Sequence, residues 1–316
     1  MSAPVRPAYD DLPRGARRGF VRPGSPDPDA LTLHYLEWGP SSAVTIVTLH
    51  GGGQTAYAFT DLAANLGEAG FHVLAPDLRG HGESDWSTEV AYEPDDHARD
   101  VIGLLDAFGI DHAVLVGQSL GGLVAASAAG LAPERAMGLV LVDIGAQLER
   151  KGVSRIVSFL RGYESFVSLE EAAGVIAEYN SRRPPTPERI QNLRRNLREG
   201  VDGRWRWKYD LRGLVATPDR DAPEDRAAGD AAIGRMRASM ERAAAGITCP
   251  VMVLRGAESD VLSGSGASEM SQLLPGAEIV VVDQAGHIVA GDNPRSTTDA
   301  TLRFLDRLDI KPGARA

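Results

Sequence analysis

A short apolar run, His112 to Val116, leads at once into Gly117-Gln118-Ser119-Leu120-Gly121-Gly122, and a small-residue stretch extends from Leu120 to Leu131. The run reads as a buried strand and the stretch as a helix, so the chain must turn from one to the other within a few residues. Glycines on both sides of the serine remove the Cβ atoms that would collide in such a turn. The Ser119 hydroxyl is left at a helix N-terminus, where backbone N–H groups lack partners. That setting suits a nucleophile better than a packing residue. In a chain with 35 Gly such a string also arises by chance, so its meaning rests on the motifs that accompany it.

The length, 316 residues, fits one large α/β unit with an insertion better than several small domains. Lys and Arg number 33 against 43 Asp and Glu, a net charge of -10, which argues against a nucleic-acid or anionic-membrane partner. The single cysteine, Cys249, rules out an internal disulfide framework and a thiol metal cluster. It precedes Pro250 at the start of an apolar run and reads as a small buried side chain. The N-terminus lacks the roughly 7 to 15-residue apolar core of a secretory signal, and no run approaches the ~18 apolar residues of a membrane span. The expectation is a soluble, cytoplasmic protein; its oligomeric state is not legible.

Residues 1–18, rich in Pro, Arg and Asp, are expected to form a flexible arm. Strand-like runs follow at Gly19–Arg22, Leu31–Trp38 and Val44–Leu49, the first two separated by the breaker Pro23–Asp29. Strand and helix then alternate regularly: helix Thr55–Glu68, strand His72–Ala75, helix Asp95–Phe108, strand Ala113–Val116, helix to Leu131, strand Gly138–Val142. Val101, Leu104, Leu105 and Phe108 make one stripe, as a helix lying on a sheet requires. This alternation predicts a mostly parallel sheet covered on both faces, with functional groups at the carboxyl ends of its strands. After Asp143 the texture changes. Residues 146–245 show no strong strand run and instead carry helical segments at 148–161, 168–180, 187–198 and 223–245, with helix-start signals at Ser168 to Glu171 and Thr186-Pro187. Alternation resumes with strands Val251–Leu254 and Glu278–Val282 and a closing helix Pro294–Leu308. The division is therefore a core of 19–145 and 246–316, with 146–245 as a helical cap.

A serine hydroxyl is a poor nucleophile near neutral pH; an imidazole must take its proton, and a carboxylate must orient that imidazole. His287, in Asp283-Gln284-Ala285-Gly286-His287, follows a late strand and is the candidate base. His81 also follows a strand but precedes the serine in the chain, and His34, His72, His97 and His112 read as structural. Asp260, in Arg255-Gly256-Ala257-Glu258-Ser259-Asp260, follows the strand before that of His287. Asp143, at the end of strand Gly138–Val142, is its rival, ahead of Glu258 and Asp283. His50-Gly51-Gly52-Gly53 offers bare backbone amides at a strand end, which together with the Leu120 amide would cradle an oxyanion. There is no His-Glu-x-x-His and no cysteine pair for a metal, and no phosphate-binding Gly-rich fingerprint, so no cofactor and no metal are expected.

His50 to Gly53, Pro76-Asp77-Leu78-Arg79-Gly80-His81-Gly82-Glu83-Ser84, Gly117 to Gly122, Arg255 to Asp260, and Gly286-His287 with Gly291-Asp292-Asn293-Pro294 together resemble the α/β-hydrolase superfamily. The resemblance covers residues 19–145 and 246–310. It implies an eight-stranded, mostly parallel sheet with an antiparallel second strand and a cap inserted after strand six. It also implies triad roles for Ser119, Asp260 and His287, and an oxyanion hole of the Gly52 and Leu120 amides with Gly53 as a second candidate. Serine at the nucleophile position departs from the dehalogenase and epoxide-hydrolase branches, which need a carboxylate there. Hydrolysis of a small to medium, partly hydrophobic carboxylic ester through an acyl-serine is the simplest reading. Carbon-carbon hydrolysis of a ring-cleavage product or lactone hydrolysis with the same triad are alternatives, and a non-catalytic binder is the third class. The partner is then a small-molecule substrate. Gly53, Tyr57, Phe59, Trp86, Trp205 and Trp207 are candidate pocket residues, although the alternation of Trp205, Trp207 and Tyr209 fits a packed edge of the cap at least as well.

Overall fold

The computed structural model describes residues 12–24, 31–180, 184–213 and 223–313, with 223–229 as backbone alone. The first half of the core alternates as the sequence predicts: β1 (Arg17–Val21), β2 (Leu33–Trp38), β3 (Thr45–Leu49), α1 (Thr60–Glu68), β4 (His72–Pro76), α2 (Pro94–Phe108), β5 (Ala113–Gln118), α3 (Leu120–Leu131) and β6 (Ala136–Val142). The inserted segment holds α4 (Arg150–Arg161), α5 (Leu169–Tyr179), α6 (Pro187–Asn192), β7 (Leu197–Glu199), β8 (Trp205–Trp207) and α7 (Pro223–Ala244). The chain then closes with β9 (Val251–Gly256), α8 (Gly264–Leu273), β10 (Glu278–Val282), α9 (Val289–Asp292) and α10 (Pro294–Arg307).

Eight strands form one sheet in the order β1-β2-β4-β3-β5-β6-β9-β10. β2 runs antiparallel to both neighbours, and every pair from β4 to β10 is parallel. This is the α/β-hydrolase fold. Because the central strands are apolar on both faces, alternate residues feed two separate cores. Leu115, Leu139 and Leu141 pack beneath α2 and α3, whereas Val114, Val116 and Val140 pack beneath α1 and α10.

Two sequence expectations need correction here. Residues 1–11 of the expected arm lie outside the described residues, and Arg17 and Arg18, assigned to the arm, already pair with Glu37 and Leu36 in the sheet. The inserted segment is not purely helical: β7 and β8 form an antiparallel hairpin, closed by a turn with Gly203 at φ 71°, over which Trp205 packs on Phe166, Leu169 and Leu197. A three-residue strand whose tryptophans alternate with arginine carries too little apolar periodicity to stand out in the sequence. Among the described residues no helix is long and apolar enough to cross a membrane.

The sharp turn after β5 rests on backbone contact. A Cβ on Gly121 would lie 2.0 Å from the Leu49 carbonyl oxygen, and one on Gly117 would lie 2.1 Å from that of Gly121. Backbone cannot move aside as a flexible side chain can. Gly121→Ala is therefore expected to destabilise the protein by at least the ~1–3 kcal/mol typical of overpacking, read as a lowered denaturant midpoint. An unchanged midpoint would show that the elbow is looser than this geometry implies.

Candidate active site

Parallel pairing brings the carboxyl ends of β5, β6, β9 and β10 into one row. Gln118 registers with Val142, Val142 with Leu254, and Val282 with Gly256. The residues just beyond these ends therefore emerge side by side. Ser119 has φ 53° and ψ -117°, a left-handed conformation rare outside glycine, and its N–H donates to the Val142 carbonyl at 3.1 Å. The nucleophile elbow is thereby tied to the end of β6.

The next residue of β6 is the carboxylate that meets the histidine. His287 Nδ1 lies 2.8 Å from Asp143 Oδ2, and Asp143 is 0% exposed. Its other oxygen accepts from the Gly256 N–H at 3.0 Å, and the Ser259 hydroxyl donates to Oδ2 at 2.5 Å. Asp143 is thus held from three directions. An imidazole that gives Nδ1–H to a buried carboxylate keeps Nε2 as the nitrogen able to take a proton, and Ser119 and His287 line the same cavity.

This arrangement corrects the assignment of the acid. Asp260 does not bond His287: its two oxygens accept from Arg155 of α4 at 2.8 and 2.9 Å, and its side chain is 41% exposed. The cause is local. The Ala257 and Glu258 amides are committed to the carbonyls of Val282 and Ala285, and Ser259 folds its hydroxyl inward to receive the Val261 and Leu262 N–H groups. That turn sends the Asp260 carboxylate outward. Burial works against its charge, but Arg155 outweighs burial and holds the group below its usual range.

The glycine loop resolves by accounting for its amides. Gly51 N–H donates to Gln54 Oε1 at 2.8 Å, Gln54 N–H to the Gly51 carbonyl at 3.1 Å, and Gly53 N–H to His81 Nε2 at 3.3 Å. Among the described residues the Gly52 amide has no acceptor, and a Cβ there would meet nothing within 4 Å, so Gly52 borders open space. Leu120, the first residue of α3, has no helical acceptor for its amide. The Gly52 and Leu120 amides thus remain uncommitted, whereas that of Gly53, although the residue lines the cavity, is taken by His81.

His81, the competing base in the sequence, has a different task. Its Nδ1 donates to the Arg79 carbonyl at 3.1 Å, so Nε2 is an acceptor for Gly53. Burial, helped by neighbouring His50, pushes its pKa down to about 3, so it stays neutral and keeps that acceptor. His50 does the same one loop away, donating to the Gly51 carbonyl at 2.8 Å and accepting the Leu78 N–H at 3.0 Å.

The cavity, of about 980 Å³, is walled by α4 residues such as Val153, Val157 and Leu160, by Leu123 and Ile144 of the core, and by Met236 of α7. All five aromatic candidates lie elsewhere. Phe59 is buried in the core and Tyr57 packs against that same core with Arg195 over its ring; Trp205 packs within the inserted segment with Trp207 against it, and Trp86 is 43% exposed on the surface. Tyr92, Tyr163 and Tyr179, and His97, expected to be structural, line the cavity with Tyr209 instead. No spacing rule marks them, because they converge from α2, the loops beside it and the inserted helices. Among the described residues no cluster of three or more His, Cys, Asp or Glu side chains gathers to hold a metal.

The fold and this row of strand-end groups define the class: an enzyme built on the nucleophile-elbow sheet. A family model described as alpha/beta hydrolase fold matches residues 44–294, and the chain belongs to that family. It is 31% identical over 283 residues to the 3-hydroxybutyrate-oligomer hydrolase of Cupriavidus necator, covering 86% of this chain and 92% of that one. It is 28% identical over 285 residues to an esterase of Mycobacterium tuberculosis, covering 86% and 85%. Among solved structures, E-2-(acetamidomethylene)succinate hydrolase superposes with a TM-score of 0.76 at 25% identity, covering 92% of this chain and all of that one.

Two variants separate the carboxylates. Asp143→Asn keeps the shape but not the imidazole tautomer, and kcat is expected to fall by on the order of 10³ to 10⁴. Asp260→Asn breaks a half-exposed pair worth at most ~1 kcal/mol and should change kcat less than about threefold. The opposite ranking would return the acid role to Asp260. His81→Ala frees the Gly53 amide and loosens the loop. Its kcat should fall roughly tenfold at nearly constant KM, short of the ~10² to 10³ lost with an oxyanion donor itself; a rise in KM alone would contradict this.

Proposed function

We propose that this protein is a serine hydrolase that cleaves a small to medium, partly hydrophobic carboxylic ester through an acyl-serine intermediate. The observation that carries the reading is the buried Asp143 bonded to His287, in a cavity shared with Ser119 and bordered by the uncommitted Gly52 amide. In this mechanism Ser119 Oγ attacks the ester carbonyl while His287 Nε2 takes its proton, and the Gly52 and Leu120 amides receive the oxyanion. Collapse breaks the bond to the alcohol, which leaves with the proton from His287. Water then attacks the acyl group by the same route, releasing the acid and restoring Ser119.

The apolar wall from α4 and α7 suits the hydrocarbon part of such an ester. The names of two relatives, an esterase and a hydrolase of 3-hydroxybutyrate oligomers, support ester chemistry.

The test is a panel of p-nitrophenyl esters, lactones and a ring-cleavage diketoacid given to the wild type and to Ser119→Ala. Wild-type turnover is expected on the esters, and the variant should retain only a residual rate of roughly 10³ to 10⁴ over water. Near-full ester turnover by the variant would remove serine from the mechanism, and turnover of the diketoacid alone would change the bond cleaved.

A further inference from the structure

The cavity is charged unlike the chain around it. The chain carries a net charge of -10, yet the side chains lining the cavity include four arginines, Arg150, Arg161, Arg212 and Arg235, against two carboxylates, Glu93 and Asp210. Three of the four arginines are engaged. Arg212 grips Asp210 at 2.5 Å, Arg150 Nε lies 3.3 Å from Asp230 Oδ1, and Arg161 has a partner of its own.

Arg235 is the exception. With Ala232 and Met236 it makes the face of α7 that borders the cavity, at the spacing of three and four residues that puts side chains on one side of a helix. Among the described residues no carboxylate, carbonyl or hydroxyl bonds its guanidinium. The charged groups near it in sequence are committed elsewhere: Asp230 pairs with Arg150, and Arg237, on the opposite face of α7, holds Glu241 and Glu269. The helix also brings this cation near the reacting groups. A Cβ on Gly130 of α3 would lie 2.6 Å from the Ala243 carbonyl oxygen, so the C-terminal ends of α3 and α7 touch, and the two helices pack side by side. Counting back from that contact at about 1.5 Å per residue, Leu123 stands level with Met236, both on the cavity wall, and Arg235 stands about one turn from the level of Ser119.

We propose that Arg235 receives a free carboxylate carried by the ester substrate, so that the enzyme acts on ester acids, with an ester at one end and a carboxylate at the other, in preference to neutral esters of the same shape. This rests on the ester-hydrolase reading above. The planar fork of a guanidinium matches the two oxygens of a carboxylate, whereas an ammonium there would meet like charge. Leu123, Val153 and Met236 supply apolar surface for the hydrocarbon between the two ends. The excess of arginine in the lining also offsets the repulsion that the chain's net negative charge imposes on an anionic substrate.

The test compares kcat/KM for pairs of matched shape: monoethyl adipate with ethyl 6-methylheptanoate, which carries the charge on the acyl side, and 4-(butanoyloxy)butanoate with 4-methylpentyl butanoate, which carries it on the alcohol side. The wild type is expected to favour the anionic member of at least one pair by about fivefold, the scale of one partly exposed charge-assisted pair, with the difference in KM. Arg235 is exposed, so its substitution spares the core. Arg235→Gln should bring the ratio to within about twofold of one, and Arg235→Glu should bring it below one. A wild type without the preference, or a preference that survives in Arg235→Glu, overturns the proposal. Cleavage of none of the four esters is a different outcome: the ester reading itself then fails, and this proposal falls with it.

Discussion

The site depends on a place where three backbone segments touch without side chains between them. Gly117 presses on Gly121, Gly121 on the carbonyls of Leu49 and His50, and the Cβ position of Gly51 lies 3.5 Å from that of Ser119. The strained serine and the loop that faces it are therefore one rigid body, fixed by contacts between atoms that cannot rotate away. The Gly52 and Leu120 amides are thereby held in place relative to Ser119. The left-handed Ser119 is tolerated because β5, α3 and the end of β6 determine it from all sides.

A layer of neutral histidines and one buried carboxylate supports that body. Asp77, in the turn after β4, accepts from the Ala56 amide at 2.6 Å, the Glu83 amide at 2.9 Å and His34 Nδ1 at 2.8 Å. Burial opposes its charge, but His34 and the amides outweigh burial and hold its pKa down to about 2. His50 and His81 do the complementary work: each uses one nitrogen to donate to a carbonyl and the other to accept an amide, a pattern open only to the uncharged ring. The low dielectric that would punish a protonated imidazole thus preserves the acceptors on which the glycine loop depends.

All eight strands of the sheet and the elbow were legible because each leaves a local mark: an apolar run, a glycine spacing, a histidine soon after a strand. The carboxylate partner of His287 was not, because Asp143 and Asp260 both follow strands, and both precede His287 in the chain. What distinguishes them is the turn after β9, where Ser259 points inward and Asp260 outward, together with α4 resting on that turn; a Cβ on Gly152 would lie 2.0 Å from the Asp260 carbonyl. Neither fact has a sequence period. The aromatic residues misled for a related reason. Trp205 and Trp207 are conspicuous in the sequence but serve the small core of the inserted segment, while His97 and Tyr92 reach the cavity through the packing of α2 on the sheet.

A carboxylate partner for His287 at the end of β6 also changes what holds the inserted helices down. On the side of the turn after β4 the attachment is dense: Gly82 N–H donates to the Lys208 carbonyl at 2.6 Å, Asp210 N–H to the Gly80 carbonyl at 2.8 Å, and buried Lys208 lies 2.7 Å from Glu83. Tyr209 adds a ring contact with His81. On the opposite side α4 meets the core through the Arg155–Asp260 pair, both near 40% exposed, through the Glu149 N–H donating to the Val261 carbonyl at 2.8 Å, and through Val153 packed in the core. An ion pair in that setting contributes far less than backbone bonds shielded from water. A carboxylate at the end of β6 is buried completely and bonds the His287 imidazole, which leaves the carboxylate after β9 to pair with Arg155 of α4.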